Sequence, residues 1–429
     1  MNTKLLVTLA FAGCIRYFLI TSKFAQVIQN RIEVSTPLNS WKRIEEGAFL
    51  YKNGVDPYIG DVYHENPLML VGTHFLIEHL SKFIPVLFVV LDLITGVLLY
   101  FMAKRTFKDL FTQEQKIKST FAKGTEEIQL KENDGETIPF YTFVAYLFNP
   151  YSILSCVGQT TTVWSNFLLA VFFFSMTRKW TLPTIVALAL ETQRNFYPVV
   201  LIVPATLLLT KDSKKRVLKG AFVVALFCLT LAGMYYSAFS ITGNFKFVDS
   251  TIGFIIYYRD LQPNIGLFWY FFTEMFDHFR TLFLYTFQIN ATILYLLPLT
   301  FKLRDNPVLL STLLIALSAI FRSYPCVGDL ALYMALIPMW KTVAKFMSHN
   351  FIVGATFLVT SVLAPVVWHL WIYSASANAN FYFGVTLVFA TAQIFLITDL
   401  FFANIKRNFC LQHGMTFELD GSEAKMALE

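Results

Sequence analysis

Charge is scarce in this sequence: Asp, Glu, Lys and Arg make up 14% of its 429 residues, against about 25% in an ordinary soluble domain. That scarcity excludes water as the chain's main solvent. Cysteine is sparse too. Cys14, Cys156, Cys228, Cys326 and Cys410 are scattered, odd in number and mostly set in or beside apolar runs, so no disulfide framework or zinc site is indicated and they read as small apolar fillers. No Gly-rich phosphate loop and no Gly-x-Ser-x-Gly elbow occurs. His74-Phe-Leu-Ile-Glu78-His79 has the wrong order for a metalloprotease helix and is one residue too long for the inverted form. Low-complexity linkers and a soluble domain of useful size are also missing. The one sequon, Asn290-Ala291-Thr292, lies inside an apolar run, where glycosylation is physically implausible.

What the chain has instead is hydrocarbon. Hydrophobic residues reach 56%, with 45 Phe and 20 Tyr; aromatic side chains fill helix interfaces and sit well at the headgroup boundary. Apolar runs cover residues 5–20, 83–103, 139–157, 162–177, 181–192, 196–210, 220–241, 281–301, 307–321, 327–343, 351–373 and 382–403. This pattern predicts an all-α polytopic membrane protein of about 12 transmembrane helices, forming a single integral membrane domain over 1–429. The first run follows Lys4 and has no clear small-x-small cleavage site, so it reads as a retained helix or signal anchor.

The net charge of +6 does not point to nucleic acid, because the basic residues fall at the ends of apolar runs. Lys104/Arg105, Arg178/Lys179, Lys211 with Lys214/Lys215/Arg216, Lys302/Arg304, Lys341/Lys345 and Lys406/Arg407 occupy every second break. By the positive-inside rule these breaks and both termini are cytoplasmic, and residues 21–82, 243–280, 322–326 and 374–381 are lumenal. The 104–137 loop carries seven basic and seven acidic residues and reads as a solvated cytoplasmic segment. In the first lumenal loop, Phe24, Val27, Ile28 and Ile32 recur at helical spacing, which predicts amphipathic helices on the membrane surface. In the 243–280 segment a Pro-Asn-x-Gly turn leads into an aromatic-rich helix with Glu274, Asp277 and His278, expected to set its rings in lipid and its acids in water.

Asp92, Glu191, Arg194, Asp329 and Asp399 lie within or beside the runs, where a buried charge costs several kcal/mol. Asp329 is expected to pair with Arg322, and Asp92 to serve as an interhelical hydrogen-bonding group. Lys214, Lys215 and Arg216 would attract anionic phospholipid headgroups at about 1 kcal/mol per basic residue, and Arg280 could meet a phosphate or snorkel.

SWKRIEEG (40–47), DPYIGDVYHENPL (56–68), NPYSILSC (149–156), DLQPNIGLFWYFFTEMFDHF (260–279), SYPCVGDLALYMA (323–335) and WHLWIYSASANANF (368–381) together resemble the U subunit of GPI transamidase, the PIG-U family. The resemblance implies an endoplasmic reticulum membrane subunit, itself non-catalytic and needing no cofactor, of the complex that joins a precursor's new carboxyl end to glycosylphosphatidylinositol. Cleavage and transfer belong in that family to a separate cysteine-protease-like subunit, and this one is understood to hold the GPI lipid. The implied fold is similar to the GT-C-like scaffold of the lipid-sugar glycosyltransferases. Where the GPI mannosyltransferases read like Thr-Asp-Ile-Asp-Tyr, this chain has Thr36-Pro37-Leu38-Asn39-Ser40, so the carboxylates that activate a sugar donor are gone. Glu45, Glu46, Asp56 and Asp61 remain nearby, which keeps a lumenal mannosyltransferase as the alternative, beside a purely structural scaffold.

A GPI receptor needs an apolar groove at membrane depth and neutral hydrogen-bonding groups above it. Asn378 and Asn380, with Ser376 beside them, fit the second requirement, since a carboxamide both donates and accepts without burying charge. A tight interhelical turn favours the same residues. His369, Trp371 and Tyr373, with Trp368, would form an aromatic rim below.

Overall fold

The computed structural model describes residues 3–415 and, further on, two short backbone stretches, so the last residues of the chain, on which the expectation of a cytoplasmic C-terminus partly falls, mostly lie outside the described residues. The helices follow the apolar runs closely. In chain order they are α1 Thr3–Ile20, α2 Phe24–Gln29, α3 Trp41–Lys52, α4 Pro67–Leu80, α5 Ile84–Ile117, α6 Asp134–Leu147, α7 Pro150–Val157, α8 Thr162–Thr177, α9 Thr181–Asn195, α10 Ile202–Thr210 and α11 Arg216–Thr242. Two short turns, α12 Lys246–Val248 and α13 Phe254–Tyr257, flank a π-helical segment. Then come α14 Phe268–Glu274, α15 Asp277–Thr292, α16 Leu296–Leu303, α17 Pro307–Phe321, α18 Val327–Leu336, α19 Lys341–Ala344, α20 Asn350–Ile372 and α21 Ala379–His413. The only strands among the described residues are the two-residue pair Glu418–Leu419 and Ser422–Glu423.

Proline and asparagine set several starts. Asn66, Asn149 and Asn306 each precede a proline and accept a backbone N–H from the first turn, at 2.9, 2.9 and 3.3 Å, the arrangement that satisfies orphan donors where proline needs none.

Every apolar run is helical, yet among the described residues only six helical stretches are long and apolar enough to cross a membrane, or seven if the α6–α7 pair, bent by 44°, counts as one. About six candidate spans are therefore shown where twelve were expected. Helices such as α8, with 16 residues, and α17, with 15, rise only about 24 Å, short of the roughly 30 Å hydrocarbon core. They are apolar on every side because protein surrounds them: Leu309, Leu310, Leu313 and Leu314 of α17 are all buried, as are Phe172 and Phe173 of α8. A helix buried in protein and one bathed in lipid have the same composition.

Two sequence expectations about surface helices are corrected. In α3, Trp41 and Ile44 are buried in one cluster with Tyr63, Leu70 and Phe88 and Ala48 is buried too, so this face meets protein, while Phe49 and Tyr51 are exposed. In α2, Phe24 and Val27 point outward as expected, while Ile28 and the following Ile32 turn in to the core. The aromatic helix α14 buries Phe268, Trp269 and Phe272 against Tyr258, Tyr382 and Trp371, while Glu274 at its end and Asp277 at the start of α15 are exposed as anticipated, together with Phe276, His278 and Phe279.

Buried charges are paired between helices. Arg16 of α1 and Asp92 of α5, each fully buried, meet at 2.5 Å; Tyr146 OH donates to the same carboxylate at 2.7 Å, and Arg16 reaches the Leu147 carbonyl at 2.8 Å. Asp399 accepts the backbone N–H groups of Ser348 and His349 and so caps the start of α20.

The loops sort into two sets. Arg43 pairs with Asp260, His64 Nδ1 lies 2.8 Å from the Ser250 carbonyl, and the Val327 N–H donates to the Glu33 carbonyl at 2.9 Å. In the other set Lys341 pairs with Asp134 at 2.7 Å, Lys345 donates to the Glu127 carbonyl and Arg407 to that of Ile128. Since α21 starts in the first set and, 35 residues later, ends in the second, the sets lie at opposite ends, about 50 Å apart. Lys341, Lys345 and Arg407, from two of the basic breaks, fall in the second set.

Candidate functional site

The turn between α20 and α21 sits at the end opposite the basic breaks. Its backbone folds back through Ser376 N–H and Ala377 N–H, which both donate to the Leu370 carbonyl at 2.9 and 3.3 Å, and Ala375 adopts a φ of 49°. Asn378 is the N-cap of α21, its side chain accepting from Asn380 N–H at 3.1 Å. The Asn380 side-chain oxygen accepts from Tyr270 OH of α14. The turn reading of these residues is therefore true of their geometry. It also sharpens their chemistry: each side-chain oxygen already accepts one bond, both Nδ2 groups have no partner among the described residues, and both side chains are exposed. What remains on offer is a pair of donors, and a donor pair suits phosphate or sugar oxygens.

The expected aromatic rim divides. Trp371 stacks on Trp269 with ring centres 6.1 Å apart and Trp368 meets Tyr382 edge-on at 5.3 Å, so these rings build the wall between α14, α20 and α21. His369 and Tyr373 stack on each other at 5.2 Å and face outward. Ser376 is exposed, its hydroxyl 3.4 Å from the Leu370 carbonyl. Arg280 donates to the Tyr258 carbonyl at 2.9 Å and lies over the Phe272 ring, a structural tie at this end. Lys214, Lys215 and Arg216 are exposed at the start of α11, and no contact joins them to Arg280 among the described residues.

Below the turn, α20 and α21 part around a cavity of 210 Å³ that sequence reading did not foresee. Pro365 is the one local signal: it donates no hydrogen bond to the Ser361 carbonyl a turn earlier, and such a proline bends or loosens a helix. Thr360, Ala364, Val385 and Phe389 line the cavity from the two helices, with Leu154 and Tyr151 behind. Its lining is almost wholly apolar. The charged exception is the Arg31–Glu33 pair, bidentate at 3.0 and 2.9 Å, which closes one side and whose Glu33 is reached by Tyr382 OH at 3.5 Å; the hydroxyls of Thr360, Ser361 and Thr386 are bonded to their own helix backbones. Thr386 lies six residues past Asn380, so the cavity begins about 9 Å down the helix from the turn.

A second polar centre lies beneath the first loop. Glu65 grips Arg194 through two bonds of 2.7 and 3.1 Å, Glu191 approaches the same guanidinium at 3.6 Å, and Asn195 links Glu191 to Arg322, which pairs with Asp329 at 2.5 Å. The Arg322–Asp329 pairing expected from sequence is present. Glu65, 129 residues from its partner, carried no sequence signal. Beside this network Asn39 accepts from Thr36 N–H at 2.6 Å and donates to the Val34 carbonyl and Thr162 hydroxyl at 3.1 and 2.9 Å. The space enclosed by Asn39, Thr162, Arg322 and Asp329 is only about 10 Å³, room for about one water. Cys326, at its edge, is fully buried, and burial followed by the nearby Asp329 pushes its thiol up to about 12, which keeps it protonated. Gly328 fits here because a Cβ would stand 2.2 Å from the Ser155 hydroxyl. Elsewhere Glu78 pairs with Lys52 at 3.2 Å and His74 at 3.3 Å, and no cluster of His, Cys, Asp and Glu among the described residues is placed to hold a metal ion.

The first loop is locked by His64. Its Nδ1 donates to the Ser250 carbonyl, its Nε2 faces Arg43 at 3.4 Å and its ring stacks on Phe254 at 3.6 Å. Burial, reinforced by Arg43, pulls its pKa down to about 4. A neutral imidazole belongs in the folded loop, so protons favour the unfolded one and stability falls as pH drops from 6.5 to about 4, by about 3 kcal/mol in total. The melting temperature of the purified protein is expected to fall across that range, and the fall should shrink in His64→Gln; an unchanged profile would remove His64 as the cause.

Comparison with known proteins completes the description of the site. A sequence profile for the family described as "GPI transamidase subunit PIG-U" matches residues 10–389. The chain is 38% identical over 441 residues to the human protein named "GPI-anchor transamidase component PIGU", covering 100% of both. It is 30% identical over 400 residues to the "GPI transamidase component GAB1 homolog" of Schizosaccharomyces pombe, covering 92% of each, and 26% identical over 401 residues to the "GPI transamidase component GAB1" of Saccharomyces cerevisiae.

Proposed function

Since this chain belongs to the PIG-U family of GPI transamidase subunits, we propose that within such a complex, in the endoplasmic reticulum membrane, it binds the GPI lipid and presents it to a separate cysteine-protease-like catalytic subunit. One observation carries this reading: the same helix pair, α20 and α21, offers two free amide donors at its turn and an apolar cavity about 9 Å below them. GPI is an amphiphile with that division, a sugar-phosphate head above acyl chains. At 210 Å³ the cavity is smaller than the roughly 300–1,000 Å³ of a drug-sized pocket, which suits one hydrocarbon chain. In this reading the turn faces the lumen, the basic breaks and both termini face the cytoplasm, and the short buried helices are part-spans of a GT-C-like scaffold that make up the twelve apolar runs.

The subunit's own chemistry is silent in this reading. A lumenal mannosyltransferase would need a carboxylate or metal beside its donor, whereas Asn39 is committed to three hydrogen bonds, its surroundings hold about 10 Å³, and Glu65, Glu191 and Asp329 in the adjoining network are taken up by Arg194 and Arg322.

Asn378→Ala with Asn380→Ala is expected to lower attachment of precursors to GPI about five- to tenfold, the worth of one to two net hydrogen bonds, with the complex still assembling. Asn378→Ser, which keeps a cap on α21, separates helix capping from ligand contact. Surface GPI-anchored proteins in cells relying on each variant provide the measurement. Normal levels in the double variant would favour a purely structural scaffold.

A further inference from the structure

At the end opposite the turn lies a larger cavity, 420 Å³, between α5, the α16–α17 connection, α19 and the last turns of α21. Two groups on its wall are buried but have bonding capacity left over. Asn404 is 7% exposed, and its carboxamide has no partner among the described residues; neither polar atom is sealed by protein, so what remains open of them faces this space. Arg407, also 7% exposed, gives Nε to the Ile128 carbonyl at 3.0 Å and Nη2 to Glu114, leaving Nη1 unused and likewise unsealed. Each Glu114 oxygen already has a donor, the second taking the Leu130 N–H at 3.0 Å.

The rest of the lining is two-sided. Lys302 and Asp305 stand exposed at the rim, while Leu303, Met339, Val343 and Leu411 give an apolar inner wall. Counting Arg407 with Glu114 and Lys302 with Asp305, the charges balance, so a simple anion is poorly matched and a ligand with both signs is well matched. The walls are also the breaks that carry Lys302/Arg304, Lys341/Lys345 and Lys406/Arg407, the level at which lipid headgroups lie. A dry cavity of this size lined with unsatisfied amide and guanidinium groups would be costly, and water alone would not use its apolar wall.

We propose that this cavity holds the headgroup of one zwitterionic phospholipid, with the phosphate on Arg407, Asn404 and Lys302, the ammonium toward Asp305 and the glycerol end against the apolar wall. The lipid acts as a structural ligand that ties the 104–137 loop to the end of α21. It is independent of the GPI reading, because it lies at the other end of α21.

Native mass spectrometry of the intact transamidase complex tests this. The complex is expected to retain one phosphatidylcholine or phosphatidylethanolamine that survives mild delipidation. Asn404→Leu should lower its occupancy about fivefold, one net hydrogen bond, and Lys302→Ala with Asp305→Ala, both exposed and away from the core, should lower it similarly. Should Asn404→Leu fail to assemble, the rim variant decides alone. After full delipidation, phosphatidylcholine vesicles should restore thermal stability, whereas phosphatidylglycerol vesicles and inorganic phosphate should not. Unchanged retention in the rim variant, or recovery with inorganic phosphate or phosphatidylglycerol in place of phosphatidylcholine, would overturn the proposal.

Discussion

Ala364→Trp is expected to lower GPI attachment by on the order of a hundredfold. Ala364 faces the 210 Å³ cavity between α20 and α21, and an indole there fills most of the space that the proposed acyl chain would take. Displacing only four methylenes from apolar surroundings, at about 0.8 kcal/mol each, costs about 3 kcal/mol of affinity. The substitution enlarges a side chain into existing space, so the overpacking that usually accompanies small-to-large changes is limited. Ala364→Leu should fall between the two. The measurement is anchoring of a reporter precursor in cells whose only copy is the variant, with co-purification of the other subunits as the control for assembly. Normal anchoring with an assembled Ala364→Trp complex would place the acyl chains elsewhere.

Asp92→Ala should destabilise the protein by about 3–5 kcal/mol, the usual result of stranding one member of a buried ion pair. Arg16 would keep its bonds to the Leu147 carbonyl and the Ser152 hydroxyl, but both partners are neutral and its charge would be left uncompensated in an environment with no water. Arg16→Met with Asp92→Leu removes both charges and is expected to cost less than either single change. Midpoints of thermal unfolding in detergent give the comparison. A double variant as unstable as the sum of the singles would mean that α1 and α5 are held by packing around the pair and not by the pair.

Local features were legible in the sequence, while partnerships were not. Helix positions could be read because an apolar run marks a helix wherever it is buried. The same property hid the number of spans, since protein and lipid select the same side chains for α17 and α20. Arg322 and Asp329 could be matched because seven residues and one break separate them. Glu65 and Arg194, or Arg16 and Asp92, meet only once the bundle is packed. At the candidate site, Asn378 and Asn380 stood out by composition, but the commitment of the Asn380 oxygen depended on Tyr270, and the cavity beneath them on how α20 and α21 pack with residues 31–34. The aromatic helix α14 misled for a related reason: its rings have the composition of an interfacial anchor and are instead packed against the rings of α20 and α21.

The cavity beneath the turn has one wall from residues 31–34 and the other from residues 360–389. At about 5–20 residues per second, roughly 20 to 70 seconds of synthesis separate the two. Nothing that depends on both walls exists before residues 360–389 have been made. A nascent or truncated subunit that lacks them, even one already inserted in the membrane, would have only one side of this cavity.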